Sequence, residues 1–435
     1  MTLFSGFSKF DRQQRIKYII EHSKLTESES SCLDEYLAPV DHQQKTYHDM
    51  IENYIGNFPL PLGVVTNMVI NGEVFIVPYV TEESSVIAAA SKAAKYWGQR
   101  GGFSAKIDSM TKKGTIHFTW NGKKTVISTL FPKIREKLVL ATTGITEKMR
   151  LRGGGMTQIQ LIDKTAELPD YYQIDVSFET SDAMGANFIN SCLEMMASVL
   201  LNINELNLDG DKVEVIMSIL SNYSPECKVN CRVKCPVEML TGWSKNLSKN
   251  AFAEKFKLAV DIANLEVSRA VTHNKGIFNG VDAVLLATGN DCRATSAGAH
   301  AYAARDGNYK SLTSIDITDD TFRYELEIPL AVGTVGGITR VHPMVKTAHA
   351  ILNYPDARKL MMIAAASGLA NNFAAVASLI TTGIQEGHMK MHLSNILNQL
   401  NATISEEESA KNHFLGKSIN YSGVAGFIRQ IRDLK

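Results

Sequence analysis

Two rhythms of apolar and polar positions run through the chain. Near the start, Ile16, Ile19 and Ile20, then Leu25 and Leu33, recur at helical spacing among charged residues and predict helix over 11–35. The stretch MVINGEVFIVPYV (68–80) instead holds two β-rich runs around Asn71-Gly72, the strongest short signal for a hairpin. Glu82 and Glu83 then open SSVIAAASKAAKYW (84–97), an Ala-rich helix expected to stop at Gly98 and the Gly101-Gly102 pair. Further on, GTIHFTW (114–120) and KTVISTL (124–130) predict strands around Asn121-Gly122. A helical stretch (134–141), the basic run KMRLRGGG (148–155) and strands at 156–162 and 171–179 follow. A long apolar helix is expected from about Asp182 to Leu206, and others over 344–380 and 388–402. The pattern predicts an α/β (α+β) fold in two parts, a larger helix-rich part and a compact α+β insert.

Composition narrows the function classes. Among 435 residues, 45 Lys+Arg balance 45 Asp+Glu, and 45% are hydrophobic, enough for sizeable cores and against disorder as the main state. A formal net charge of zero argues against nucleic acid as the main partner. There is no uninterrupted apolar run of about 18 residues, so no membrane span is expected. The charged N-terminus does not read as a secretory signal. Six cysteines make no disulfide framework, and the expected compartment is the cytoplasm.

The sequence carries no G-x-G-x-x-G, no P-loop, no H-E-x-x-H and no G-x-S-x-G. Cys227, Cys231 and Cys235 are spaced by four, but in an extended segment neighbouring sulfurs would stand about 13 Å apart, too far for one tetrahedral ion. His388 and His392 form an i, i+4 pair without a carboxylate ligand motif beside it; no metal is expected. Four segments place ionisable groups among apolar and small residues: VTEESSVIAAAS (80–91), SRAVTHNKGIFNG (268–280), LLATGNDCRA (285–294) and IQEGHMKMH (384–392). Singly, each has an ordinary structural explanation: a helix-start charge, a surface turn, a helix cap. Together Glu83, Lys275, Asp291 and His388 supply carboxylates, a cation and an imidazole, a set able to move protons.

These segments, with IENYIGNFPLPLGV (51–64), DAMGAN (182–187) and GAHAYAARDGNYKSLT (298–313), occur in order and resemble the hydroxymethylglutaryl-CoA reductase family, specifically its soluble bacterial (class II) branch. The resemblance implies reduction of hydroxymethylglutaryl-CoA to mevalonate and free CoA by two hydrides from a nicotinamide cofactor. It implies Glu83, Lys275, Asp291 and His388 as catalytic residues, with Asp291 bridging Lys275 and Glu83. Ser85, Arg269 and Asn279 would hold the hydroxymethylglutaryl group. Asp182, Ala183, Met184, Gly185, Ala186 and Asn187 would form the dinucleotide turn of a non-Rossmann domain, and the enzyme would be a homodimer or larger, with its active site at the subunit interface. The implied domains are 1–108 with 220–381 for the CoA thioester, 109–219 for the dinucleotide, and a C-terminal flap, 382–435, carrying His388.

Three positions depart from relatives. Ser84 stands where proline is common, Asn371-Asn372 where a relative has Gln-Asn, and Ser394, six residues after His388, where one soluble enzyme has arginine and membrane-anchored forms a regulatory serine. At 146, where an NADH-using relative is acidic, this chain has Thr146, followed by Lys148, Arg150 and Arg152. A neutral residue and three cations favour NADPH over NADH. Two rival readings remain at this stage: NAD-linked oxidation of mevalonate in catabolism, and a non-catalytic acyl-CoA-binding protein on the same fold.

Overall fold

A computed structural model describes residues 6–23, 27–206, 210–244, 246–381, 383, 393–415, 417 and 419–433. Three helices, α1 (Arg12–His22), α2 (Glu27–Glu35) and α3 (Asp41–His48), precede the hairpin β1 (Leu62–Ile70) and β2 (Glu73–Val80). The hairpin turns at Asn71-Gly72 with both residues at positive φ (51° and 84°), as a two-residue turn of that sequence requires. Helix α4 (Ser84–Gly98) lies against it and buries Val86, Ala90, Ala93, Ala94 and Trp97, one stripe at helical spacing.

Strands β3 (Ser104–Ser109) and β4 (Thr111–Trp120) come next, but the strand expected at 124–130 is helix. Residues Lys124–Ala141 form α5, followed by α6 (Thr143–Arg150). The β-branched residues of KTVISTL suggested a strand. The longer period decides: Ile127, Ile134 and Leu138 fall on one face and bury together. Strands β5 (Gly155–Asp163) and β6 (Tyr171–Glu179), helix α7 (Ala186–Leu201) and strand β7 (Val213–Ser221) follow, giving an antiparallel sheet in the order β5-β6-β4-β7. Its inner face and α5 and α7 share one core, including Phe118, Trp120, Phe178 and Met196.

A second, larger core holds β1–β2, α4 and the sheet β3-β8-β10-β9, in which β8 is Lys228–Pro236, β9 Thr313–Thr318 and β10 Thr321–Pro329. Cys231 and Cys235 point inward from β8, and Cys227 just before it is also buried, each an apolar-side neighbour of the core. The helices of this part are α8 (Lys249–Leu265), α9 (Val267–Ala287), α10 (Cys292–Ala303), α11 (Pro343–Ile351) and α12 (Ala357–Ile380). The expected single helix over 344–380 is therefore two, broken at Asn353-Tyr354-Pro355, where both residues before the proline take positive φ. Helix α12 is long and apolar enough to cross a membrane by composition, yet 89% of its most apolar window is buried inside the fold. Three C-terminal helices, α13 (393–399), α14 (Ile404–His413) and α15 (Tyr421–Asp433), enclose a third, small core around Leu397, Ala410 and Val424.

Candidate active site

Glu83 occupies the N-cap position of α4 but does not cap it; its carboxylate reaches instead to Lys275 in the middle of α9, with Nζ–Oε2 at 2.8 Å. HNKG is thus not a surface turn but interior helix, and Lys275 projects from it with its side chain 60% exposed, Glu83 36%. Ser85 donates from Oγ to Glu83 Oε1 at 3.2 Å, fixing the second carboxylate oxygen. Within the chain the pair is not buried.

Asn279 lies one turn beyond Lys275 on the same face of α9. Arg269 stands in the first turn, with Nη1 buried and without a partner among the described residues. Burial lowers its pKa, and the nearby Tyr324 hydroxyl acts in the opposite sense. A buried guanidinium nitrogen without an acceptor is costly, and a ligand carboxylate is the natural remedy. Below it His273 is buried; desolvation first, then the Arg269 charge, push its pKa down to about 3, so the ring is neutral and bonds Thr313 Oγ1 at 2.7 Å.

Asp291 does not join this cluster within one chain. It caps α10, accepting from the Ala294 N–H at 3.0 Å and from Arg293 at 3.3 Å; the Ala294 bond is the main influence lowering its pKa. The chain folds back after α9, with Cys292 Sγ 3.8 Å from the Asp282 carbonyl. Among the described residues, the Asp291 carboxylate bonds Ala294 and Arg293, not Lys275 or Glu83. His388 lies outside the described residues, as do Gly387 and His392. Ser394 is described, half-buried at the start of α13.

Asp182 to Gly185 of the DAMGAN segment form a turn, and helix begins only at Ala186. Gly185 takes φ 97° and begins α7, with no side chain capping the helix. A Cβ at Gly185 would sit 2.5 Å from Thr180 Cγ2, so only glycine lets the chain pass. The turn is held from both sides. Asp182 accepts at its backbone carbonyl from Thr334 N–H (2.8 Å) and at Oδ1 from Ala357 N–H (3.0 Å), the first residue of α12. Lys112, 1% exposed, donates to Thr180 Oγ1 at 2.7 Å and to the Ala183 carbonyl at 3.3 Å. Burial lowers the Lys112 pKa, opposed by Cys227 and Glu179 nearby. Sequence reasoning missed Lys112. Its signal was there: it shares the inward face of β4 with Ile116, Phe118 and Trp120, where a lysine needs a reason.

Beside the turn opens a cleft of about 470 Å³ lined by Arg152, Gly153, Ser181, Asp182, Asp356 and Arg358 among others. Arg152 and Arg358 give this cleft its cations, beside the carboxylates of Glu179, Asp182 and Asp356. Thr146 does not face this cleft. It is 5% exposed, and its hydroxyl donates to the carbonyls of Thr142 and Thr143 in its own helix. Lys148 is exposed, two residues on and thus turned well away from Thr146. Thr146 is corrected from a direct contact to an interior residue. Arg152 lines the cleft, and Arg358, on no sequence motif, was not foreseen.

Comparison with known proteins agrees with this geometry. Residues 11–393 match the family model described as hydroxymethylglutaryl-coenzyme A reductase. The chain is 34% identical over 402 residues to the 3-hydroxy-3-methylglutaryl-coenzyme A reductase of Archaeoglobus fulgidus, covering 92% of this chain and 88% of that one. It is 31% identical to a probable reductase of Borreliella burgdorferi, covering 95% and 90%. Among solved structures, a class II reductase from Streptococcus pneumoniae bound to NADPH in open conformations is 33% identical, with a TM-score of 0.71 over 87% of this chain and 100% of that one. On these matches, and on the Glu83–Lys275 pair and DAMGAN turn that the fold assembles, the chain belongs to the hydroxymethylglutaryl-coenzyme A reductase family.

Proposed function

We propose that this chain reduces hydroxymethylglutaryl-CoA to mevalonate and CoA with NADPH, using Glu83 and Lys275 as its catalytic pair. The observation that carries the reading is the 2.8 Å contact between them, presented at the surface on two well-packed helices. The bound nicotinamide supplies hydride; the protein's part is binding, charge and protons. Negative charge grows on the carbonyl oxygen as the thioester is reduced, and the Lys275 ammonium is the cation placed to stabilise it, an effect of about 3–4 kcal/mol for such a contact. Glu83, held by Lys275 and Ser85, is the proton source for the alcohol. His388 protonates the departing CoA thiolate, the task of a group titrating near neutrality. Arg269 takes the substrate carboxylate, with Ser85 and Asn279 beside it.

Asp291 completes the site from a second subunit in this reading. Within its own chain the Asp291 carboxylate is taken by Ala294 and Arg293, and the Glu83–Lys275 pair is exposed. The insert, 109–219, takes the dinucleotide on residues 182–187 and Arg152; the remainder up to 381 takes the thioester, and 382–435 acts as the flap. The protein is read as a cytoplasmic homodimer.

The test is nicotinamide absorbance on mixing purified protein with hydroxymethylglutaryl-CoA and either NADPH or NADH, repeated with His388→Gln and with free mevaldehyde as substrate. Turnover is expected with NADPH, and His388→Gln is expected to cripple thioester reduction while sparing the aldehyde, which expels no thiolate. Equal loss on both substrates would remove the thiolate role from His388. Faster turnover with NADH than with NADPH would favour the catabolic direction.

A further inference from the structure

Helix α12 is apolar along nearly its whole length, ARKLMMIAAASGLANNFAAVASLI, yet it carries two consecutive amides in its buried middle. Asn371 is 3% exposed and Asn372 1%. Consecutive helical residues project about 100° apart, so the pair faces two different neighbours. Asn371 Nδ2 donates to the Val86 carbonyl at 2.9 Å, in the first turn of α4 and three residues after Glu83. Asn372 Nδ2 donates to the His273 carbonyl at 2.8 Å, two residues before Lys275 on α9. The Asn372 Oδ1 accepts from the Tyr324 hydroxyl, whose oxygen also lies 3.1 Å from Thr313 Oγ1.

Neither carbonyl needs these amides. Both lie inside helices, where the N–H four residues on is the ordinary donor. Nor is α12 held to α9 by them alone: the two helices meet closely at Gly280 and Gly368, where a Cβ on Gly280 would stand 2.2 Å from the Ser367 carbonyl oxygen. A leucine has the same branching but a larger volume; it spares the desolvation of an amide and leaves the Tyr79 hydroxyl without its Asn371 acceptor. What the amides add is a fixed distance and registry between the start of α4 and the middle of α9.

We infer that Asn371 and Asn372 are positioning residues, a two-pronged clamp from α12 that holds the Glu83-bearing end of α4 against the Lys275-bearing turn of α9. The inference rests on the catalytic reading of that pair. Misplacement of a reacting group by about 1 Å can cost about 100-fold in rate, so the clamp acts on turnover more than on stability.

The experiment compares Asn371→Leu, which removes the donor, with Asn371→Gln, which keeps an amide, in the full-length protein. Ile363→Val, a small cavity elsewhere on α12, serves as the stability control. The expected result is a 10- to 100-fold lower kcat for Asn371→Leu, on the order a misplaced group produces. Its KM for NADPH should be unchanged and its folding intact, with the acid limb of its kcat–pH profile displaced. Asn371→Gln should recover most of the turnover, and Ile363→Val should keep both rate and pH profile. A folded Asn371→Leu enzyme with normal kcat overturns the clamp, and so does equal loss in the Gln variant or in Ile363→Val. Failure of Asn371→Leu to fold where the Gln variant folds assigns the amide to the fold and overturns it equally. Lys275→Ala run alongside separates the two ideas: retained turnover there removes the catalytic reading and the clamp with it, whereas a dead Lys275→Ala beside an active Asn371→Leu removes the clamp alone.

Discussion

The two halves of this active site are built in opposite ways. On the substrate side, Glu83 and Lys275 come from helices separated by 192 residues of sequence, and the contact between them exists only because α4, α9 and α12 pack together. On the cofactor side, the DAMGAN turn is a local object whose shape follows from Gly185 at positive φ and the free N-terminus of α7. Its dependence on the rest of the protein is confined to a few anchors, Lys112 on one side and Thr334 and Ala357 on the other. Side chains from distant elements give the first half its chemistry; backbone gives the second its affinity. The first should therefore fail through single side chains in rate, the second through charge in binding.

Lys275→Ala is the largest expected break, at least about 100-fold in turnover, because the cation acts on charge that develops mainly in the transition state. With its side chain 60% exposed and its partner at the surface, the same change should leave thermal unfolding nearly unmoved. Normal turnover would take Lys275 out of the chemistry.

The cofactor half should respond in affinity. Arg152 lines the cleft and Lys148 does not, so Arg152→Ala should weaken NADPH binding by about 10- to 150-fold, the range of one charge-assisted contact. Lys148→Ala should change it little. Fluorescence titration of NADPH without substrate measures both, and a larger loss from Lys148→Ala would reinstate the surface position read from sequence. Thr146→Asp would not report on cofactor choice, since it buries a carboxylate at a 5% exposed site.

The smallest effect separates the two cores by pH. His273 is neutral in the folded protein, its pKa pushed down to about 3 by burial and the Arg269 charge, while an unfolded histidine titrates near 6.5. Below about pH 6.5 the unfolded chain binds the extra proton. The contribution of His273 is thus complete above that pH and lost as pH falls toward 3. Trp97 and Trp243 report the large core and Trp120 the small one. Denaturant midpoints followed in single-tryptophan variants should fall faster with acid for Trp97 than for Trp120, and His273→Gln should narrow the gap. Parallel curves would show that His273 does not set the acid response.

Much of the chemistry was legible before any coordinates. Four short segments carried the ionisable set; three of its four residues lie among the described ones, and Glu83 and Lys275 are in contact. The errors have physical causes. KTVISTL reads as strand by residue type, but its apolar period continues into the next segment and the core selects the helix. The Asp291 bridge was implied by the family resemblance, whereas within the chain its carboxylate serves as the cap of α10. Thr146 was read as a cofactor position from its match to an acidic residue of a relative, while its own side chain packs inward.

By itself, the sequence determined what depends on local backbone preference and residue chemistry: the Asn71-Gly72 hairpin, the α4 stripe, the glycine turn at 185, the absence of a P-loop or Rossmann glycine run, and the family. Tertiary structure alone decided which groups meet. The Glu83–Lys275 pair, the buried Lys112 under the cofactor turn, the buried Arg269 nitrogen and the Asn371–Asn372 clamp all join elements far apart in the chain. Such contacts are set by how helices and sheets bury their apolar faces together, and one-dimensional periodicity reports that a face is buried, not what it is buried against.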